Sequence, residues 1–386
     1  RIENARGGSG NDILDGNNSN NTLYGGAGDD TFYGGAGNDR LYGSSGDDRL
    51  YGGSGNDRLY GSSDDDSLYG GTGNDYLSGG SGNDYLRDLD GTDTFYGGTG
   101  FDFLSVSGQA PAMTINLSTN AVSGGSLTGD TISSIEGVYG GNGGDTITGT
   151  SGVNTLDGNS GDDRLYGGAG NDRLIGDAGN DRLYSGSGNN RLDGGADNDT
   201  LYGGTGGNLL YGGDGSDRLY DTTGSSTFYG GDGIDRFYGG TGTHRMYGGN
   251  DTDYFFSDSP GANSFYGGSG IDWLYFYGVT SGSVTINLTT NVNSGGIVTS
   301  SIENIHGTNH AAGGDHLTGT SATNNMAGYD GNDTMFGGGG NDFMYGGDGN
   351  DSMDGGFAND YLFGGNGNDN FAFNTGADSY YGGAGT

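Results

Sequence analysis

The chain has 386 residues, 94 of them glycine and none cysteine, and sets 13 basic against 50 acidic side chains for a net charge of -37. That charge repels nucleic-acid phosphates and anionic lipid headgroups, so neither is an expected partner, and cations are the natural one. Without cysteine there is no disulfide or thiol chemistry, and no apolar run approaches the ~18–20 residues that a membrane-spanning helix requires.

Glycine-rich, weakly hydrophobic chains are ordinarily disordered, but here the composition carries a nine-residue period. Residues 1–105 hold the first array: from Gly7, eleven units run without a slip to Ser105, as in GGAGNDRLY (34–42) and GGSGNDRLY (52–60). Numbering each unit from its first glycine, position 8 is apolar, as at Leu14, Leu23, Phe32 and Leu41. Position 6 supplies Asp12, Asp30, Asp39, Asp48, Asp57, Asp66, Asp75, Asp84, Asp93 and Asp102. Arginine recurs at position 7 and tyrosine at position 9.

Nine is not a helical period, and each glycine would weaken a helix by ~1 kcal/mol. Positions 7 to 9 alternate out, in, out, which is strand behaviour. Positions 1 to 6 are turn chemistry: glycine supplies positive φ, and Asn or Asp tolerates it. Each unit therefore predicts a tight turn and a very short strand. Two units make one coil, so residues 18 apart stack. The expected fold is an all-β solenoid.

Residues 106–139 break the period and read as a β spacer. Its run MTINL (113–117) alternates like a strand, and the segment closes on ISSIEG (132–137). Such a joint continues the roll with longer turns.

Residues 140–275 hold the second array, fifteen units with one extra residue near Pro260. One edge keeps Asp145, Asp163, Asp181, Asp199, Asp217, Asp235, Asp253 and Asp272. The other loses its aspartate at Asn190, Asn208, Ser226, His244 and Asn263, each one coil from the next. Cations are expected along the first edge and few along the second. The bare edge either meets a neighbour or has drifted, with asparagine holding the turn through its own side chain.

Residues 276–309 form a second spacer, VTINL (284–288) followed by SSIENI (300–305), and the chain start IENARGGSGND (2–12) matches the end of the same segment. The larger repeat is thus a spacer, an Ile-Glu motif and an array, in three copies of which the first and last are incomplete. The chain reads as a piece of a longer or processed protein. Residues 310–386 carry the third array, eight units from His310 to Tyr381, with Asp315, Asp333, Asp342, Asp351, Asp360, Asp369 and Asp378 at position 6.

GGAGNDRLY, GGSGNDRLY and GGDGSDRLY (212–220) resemble the nonapeptide of RTX (repeats-in-toxin) calcium-binding proteins. The resemblance covers the three arrays. It implies a right-handed parallel β-roll, or β-solenoid, with two short strands per 18-residue coil and many Ca2+ ions held in the turns by the position-6 aspartates. It also implies type I secretion, with the chain unfolded in a low-calcium cytoplasm.

The residues themselves give the physical reason. Stacked coils lie ~4.8 Å apart. Carboxylates at that spacing repel by ~3.5 kcal/mol at an effective dielectric of ~20 and by ~1 kcal/mol in water. A hard cation with six to eight oxygen ligands removes the repulsion, and turns offer carbonyls beside carboxylates. Magnesium, which demands octahedral geometry and keeps its waters, fits less well. Folding should therefore be coupled to calcium.

Outside the turns, Tyr24, Tyr42 and Tyr60 should form one ladder and Tyr33, Tyr51 and Tyr69 another, with Arg40 and Arg58 stacked beside the first. Such faces suit self-association or a polysaccharide. HExxH, GxSxG and GxxxxGK[ST] are all absent, so no enzyme activity is expected from these residues. His306, His310 and His316 read as surface loop residues and Trp273 as exposed on a face. Threonines at position 3 are too sporadic for an ice-binding row. The expected function is an extracellular or cell-surface calcium-binding structural protein, a rod on the order of 100 Å long that builds a filament, surface layer or matrix. The alternative is the repeat region of a larger secreted enzyme, toxin or adhesin with its activity elsewhere.

Overall fold

The nine-residue period folds as one strand and one turn in a computed structural model that describes residues 3–109, 111–258, 262–276, 279, 282–290, 293, 296–310 and 313–385. The extra residue near Pro260 lies outside them. The strands are longer than positions 7 to 9 alone. Six residues is the commonest length, as in Arg40–Ser45 and Thr227–Asp232, where the strand runs on through position 3 of the next unit. Two of every six residues point inward: position 8, and the glycine at position 1, as in the buried Leu41 and Gly43. Positive φ is the rule at position 2, inside the last part of the strand. Gly53 has φ 111°, and a Cβ there would strike the Gly35 carbonyl one coil back.

The chain divides into two compact units, Arg1–Arg191 and Leu192–Thr386. In the first, one row of parallel strands stacks Asn4–Arg6, Thr22–Ala27, Arg40–Ser45, Arg58–Ser63, Tyr76–Ser81 and Thr94–Thr99, and closes on Thr131–Ser133. The opposite row starts at Ile13–Asn17 and Thr31–Ala36. Register is fixed at 18 residues, with Arg40, Leu41 and Tyr42 facing Arg58, Leu59 and Tyr60. The second unit repeats the design, for example Arg218–Gly224 against Arg236–Gly242 and Tyr361–Asn366 against Ser379–Ala384. Each unit is a parallel β-solenoid, and no α-helix occurs among the described residues.

The first spacer does more than lengthen a turn. Its Thr131–Ser133 ends one row, while Thr114–Asn116 opens another by pairing in parallel with Thr146–Thr148. It also adds an antiparallel hairpin, Thr114–Asn116 against Ala121–Ser123. The Asn116 side chain holds that reversal, accepting from Ser118 Oγ at 2.9 Å and the Thr119 N–H at 3.0 Å. In the second spacer Thr285–Asn287 opens a row in the same way, against His316–Thr318.

The core is a narrow file of position-8 side chains, with Leu41, Leu50, Leu59 and Leu68 wholly buried. Tyrosines stack outside as expected: Tyr24 on Tyr42 at 4.8 Å, Tyr42 on Tyr60 at 5.0 Å, and Tyr33 on Tyr51 at 5.2 Å. His306 departs from the expected surface loop. It lies in the strand Asn304–Thr308, meets the Trp273 and Tyr275 rings edge-on at 5.5 and 4.7 Å, and sits 2.7 Å from the Tyr329 hydroxyl. Burial lowers its pKa to about 4. Trp273 itself is half-buried, and His316 opens a strand with its side chain exposed.

Candidate metal centres

Position 6 ends the turn and starts the strand, so its side chain folds back under the turn rather than out to solvent. Asp30, Asp39, Asp48, Asp57 and Asp66 are each about 1% exposed. One carboxylate oxygen is used by the backbone. Asp48 Oδ1 accepts the Asp30 N–H at 2.7 Å, Asp66 accepts from Asp48 at 2.9 Å, and Asp84 accepts from Asp66 at 2.9 Å. The second oxygen of Asp30, Asp39, Asp48, Asp57, Asp66 and Asp84 is buried with no hydrogen-bond partner.

That second oxygen faces the glycine at position 1 of its own unit. A Cβ on Gly52 would stand 2.6 Å from Asp57 Oδ2 and 2.5 Å from the carbonyl oxygen of Gly70, one coil on. Glycine at position 1 leaves a cradle lined by a carboxylate and a carbonyl of the neighbouring coil. Buried polar atoms normally find a partner, and a file of them without one asks for a cation.

Electrostatics say the same. Burial, followed by neighbouring carboxylates, raises Asp48 to about 6, Asp57 to about 7 and Asp66 to about 8, against the lowering effect of the N–H from the previous coil. Asp163 and Asp235 rise to about 8 and Asp333 to about 7 for the same reasons. An all-oxygen donor set of carboxylates and carbonyls fits calcium.

The expected aspartates fall into continuous files. In the first unit Asp12, Asp30, Asp48, Asp66, Asp84 and Asp102 are linked N–H to carboxylate. The other edge links Asn21, Asp39, Asp57, Asp75 and Asp93. A fresh file starts where Asp145 accepts the Met113 N–H at 2.8 Å and runs to Asp163 and Asp181. In the second unit Asp199, Asp217, Asp235, Asp253 and Asp272 form one file. Asp315, Asp333, Asp351 and Asp369 form another, and Asp342, Asp360 and Asp378 a third.

The Ile-Glu motif has a role that its sequence did not disclose. Glu136 and Glu303 stand in the position-6 slot where a spacer meets a file, accepting the N–H of Asp102 at 3.0 Å and of Asp272 at 2.8 Å. The next position 6 is asparagine each time, because its amide donates to the glutamate carbonyl: Asn154 Nδ2 to Glu136 O at 3.0 Å, and Asn324 Nδ2 to Glu303 O. Four further buried aspartates were missed. Asp172 fills position 6 and accepts the Asn154 N–H at 2.8 Å. It was legible from the period alone. Asp130, in the spacer, extends a file by accepting the Asp93 N–H at 2.7 Å. Asp88 and Asp221 occupy position 1, in place of glycine.

The edge that lost its aspartates presents different chemistry. Asn208 Nδ2 donates to the Gly203 carbonyl at 2.7 Å, so an amide nitrogen stands where other units place Oδ2. A Cβ on Gly239 would meet His244 Cδ2 at 3.0 Å, and Asn263 Nδ2 donates to Ser257 Oγ at 3.2 Å. The Ser226 hydroxyl donates to the Asp221 carboxylate, which also takes Asn208 Nδ2 at 3.3 Å. Donors and a ring carbon fill these positions, and neither ligates a cation.

Fold and edge together define the class: a parallel β-solenoid whose turns stack acidic, oxygen-lined cradles one coil apart. The profile of the RTX calcium-binding nonapeptide repeat matches the chain across residues 6–104, 139–275 and 311–386. The chain therefore belongs to the family of RTX calcium-binding nonapeptide-repeat proteins. A comparison with curated proteins gives no match.

Proposed function

We propose that this chain is an extracellular, non-catalytic structural protein whose three arrays (1–105, 140–275 and 310–386) fold on calcium and build a filament, surface layer or matrix. The observation that carries this reading is the file of buried Oδ2 atoms without partners beside the position-1 glycines. Bound calcium supplies the positive charge that lets those carboxylates stay ionised. The chain supplies the rest. Each Oδ1 is fixed by an N–H from the previous coil, glycine keeps the cradle open, and the narrow leucine file orders the strands. A fold with this requirement suits calcium-rich surroundings outside cells.

The structural role is supported by the outer faces. Aromatic rings repeat there at stacking distance over many coils, as in Tyr211, Tyr229, Tyr247 and Tyr266 at 5.0, 4.9 and 4.6 Å. A surface that repeats along one direction suits self-association, and its flat aromatic rows also suit polysaccharide or cell-surface contact. Family membership favours a second reading, the repeat region of a larger secreted enzyme, toxin or adhesin.

Circular dichroism of chelated protein at pH 8 during calcium titration, followed by electron microscopy, tests both parts. A β signal that appears only with calcium, and then ordered fibres or sheets, is the expected result. A β-rich fold in excess chelator at that pH overturns the calcium reading, and dispersed single particles overturn the assembly.

A further inference from the structure

We propose that Asp88 turns one cradle of the first unit into a three-carboxylate calcium site, which holds its ion more tightly than the cradles around it. In an ordinary unit the cradle at position 1 is lined by the unit's own aspartate and by the carbonyl of the position-1 glycine one coil on. For Gly70 and Asp75 the residue one coil on is Asp88, so a second carboxylate enters the same space. A Cβ on Gly70 would meet both Asp88 Oδ2 and Asp75 Oδ2.

Asp75, Asp88 and Asp93 each bring one oxygen to within 4.8 Å of the others. All three are buried, at 3, 3 and 2% exposure. Backbone groups hold the arrangement. Asp88 Oδ2 accepts the Gly71 N–H at 3.1 Å, Asp88 Oδ1 accepts the Leu89 N–H at 2.7 Å, and Asp93 Oδ1 accepts the Asp75 N–H at 2.8 Å. Asp75 Oδ2 is buried there with no N–H or hydroxyl donor and faces the Asp88 carboxylate, an oxygen aimed into the cluster. The adjacent Arg87 donates its Nη2 to the Ser107 carbonyl at 3.1 Å. An opening lined by Tyr69, Gly71, Arg87 and Leu89 lies beside Asp88.

Asp221 provides the internal comparison. It too replaces a position-1 glycine, but its edge has lost the position-6 aspartates, and one oxygen of its carboxylate, Oδ2, accepts from both the Ser226 hydroxyl and Asn208 Nδ2. The same substitution thus adds a ligand where the file is intact and closes a hydrogen-bond network where it is not. Affinity in oxygen-ligand sites follows the number of charged ligands, so the site at Asp88 should load first.

The inference rests on the calcium reading of the repeats, and the test separates the two. Bound ions are counted by native mass spectrometry of the full chain over a series of buffered free calcium concentrations. The variants are Asp88→Gly, which restores the usual repeat residue, Asp88→Asn, and Asp221→Gly as comparison. Circular dichroism at saturating calcium reports that each is folded. The expected result is that wild type and Asp221→Gly keep one ion at calcium levels where both Asp88 variants have lost it, with its affinity weakened at least about tenfold. An unchanged tightest ion in either folded Asp88 variant, or an equal loss in Asp221→Gly, overturns the proposal. A wild-type chain that binds no calcium overturns the reading beneath it.

Discussion

A position-6 aspartate does two jobs with two oxygens. Oδ1 fixes the register of neighbouring coils, and Oδ2 waits in the cradle. The second job makes the metal-free fold sensitive to pH. Burial favours the neutral acid, so the folded chain binds more protons than the unfolded one. Stability without calcium is therefore greatest below 3.8, the ordinary value. It is lost as pH rises through the raised values, about 6 at Asp48 to about 8 at Asp66. In chelator, the β signal in circular dichroism should be present near pH 4 and gone at pH 8. Adding calcium at pH 7 should restore it and release protons, measurable in weakly buffered solution. The aspartates themselves were legible because side-chain type and period suffice to place them. The division of labour between their oxygens was not, because it depends on where the N–H of another coil falls. Asp88 and Asp221 escaped for a related reason: they look like lapses of the repeat until the neighbouring coil is in place.

At the scale of strands and turns, the two edges of the second unit exchange one kind of stabilisation for another. Beside Ser226, His244 and Asn263 the core side chains are Phe228, Met246 and Phe265 in place of leucine, and the facing units with Asp235 and Asp253 carry Phe237 and Phe255. His244 packs its ring 5.6 Å from that of Phe228, and Phe237 stacks on Phe255 at 4.8 Å. Phe237→Ala should lower stability by ~3–5 kcal/mol, read from denaturant unfolding in saturating calcium. Ion counting should tell the edges apart: Asp235→Asn reduces the number of bound calcium ions, and Asn208→Ala leaves it unchanged. The alternation of positions 7 to 9 announced strands, yet their continuation through position 3 was hidden. Glycines there look like turn residues, and they extend the strand because the parallel neighbour supplies hydrogen bonds. The hairpin of the first spacer was hidden likewise, since MTINL alternates equally well for either pairing direction.

Across the whole molecule, each coil of a unit touches only the coil before and the coil after, so stability accumulates from neighbour to neighbour. Deleting residues 43–60, one full coil with Asp48 and Asp57, should leave a folded, calcium-dependent chain that binds fewer ions, checked by circular dichroism and ion counting. The tyrosine columns carry an optical consequence as well. In the second unit Tyr202, Tyr220 and Tyr238 stack at 4.9 and 4.4 Å, Phe256 and Tyr275 continue the column, and Trp273 lies 6.0 Å from Tyr275. Trp273 is the chain's sole tryptophan. Light absorbed by a phenol of that column can pass by resonance transfer from phenol to phenol, past Phe256, until the indole traps it. Indole emission on phenol excitation should thus brighten as calcium orders the column, an antenna assembled by the same ion that closes the turns.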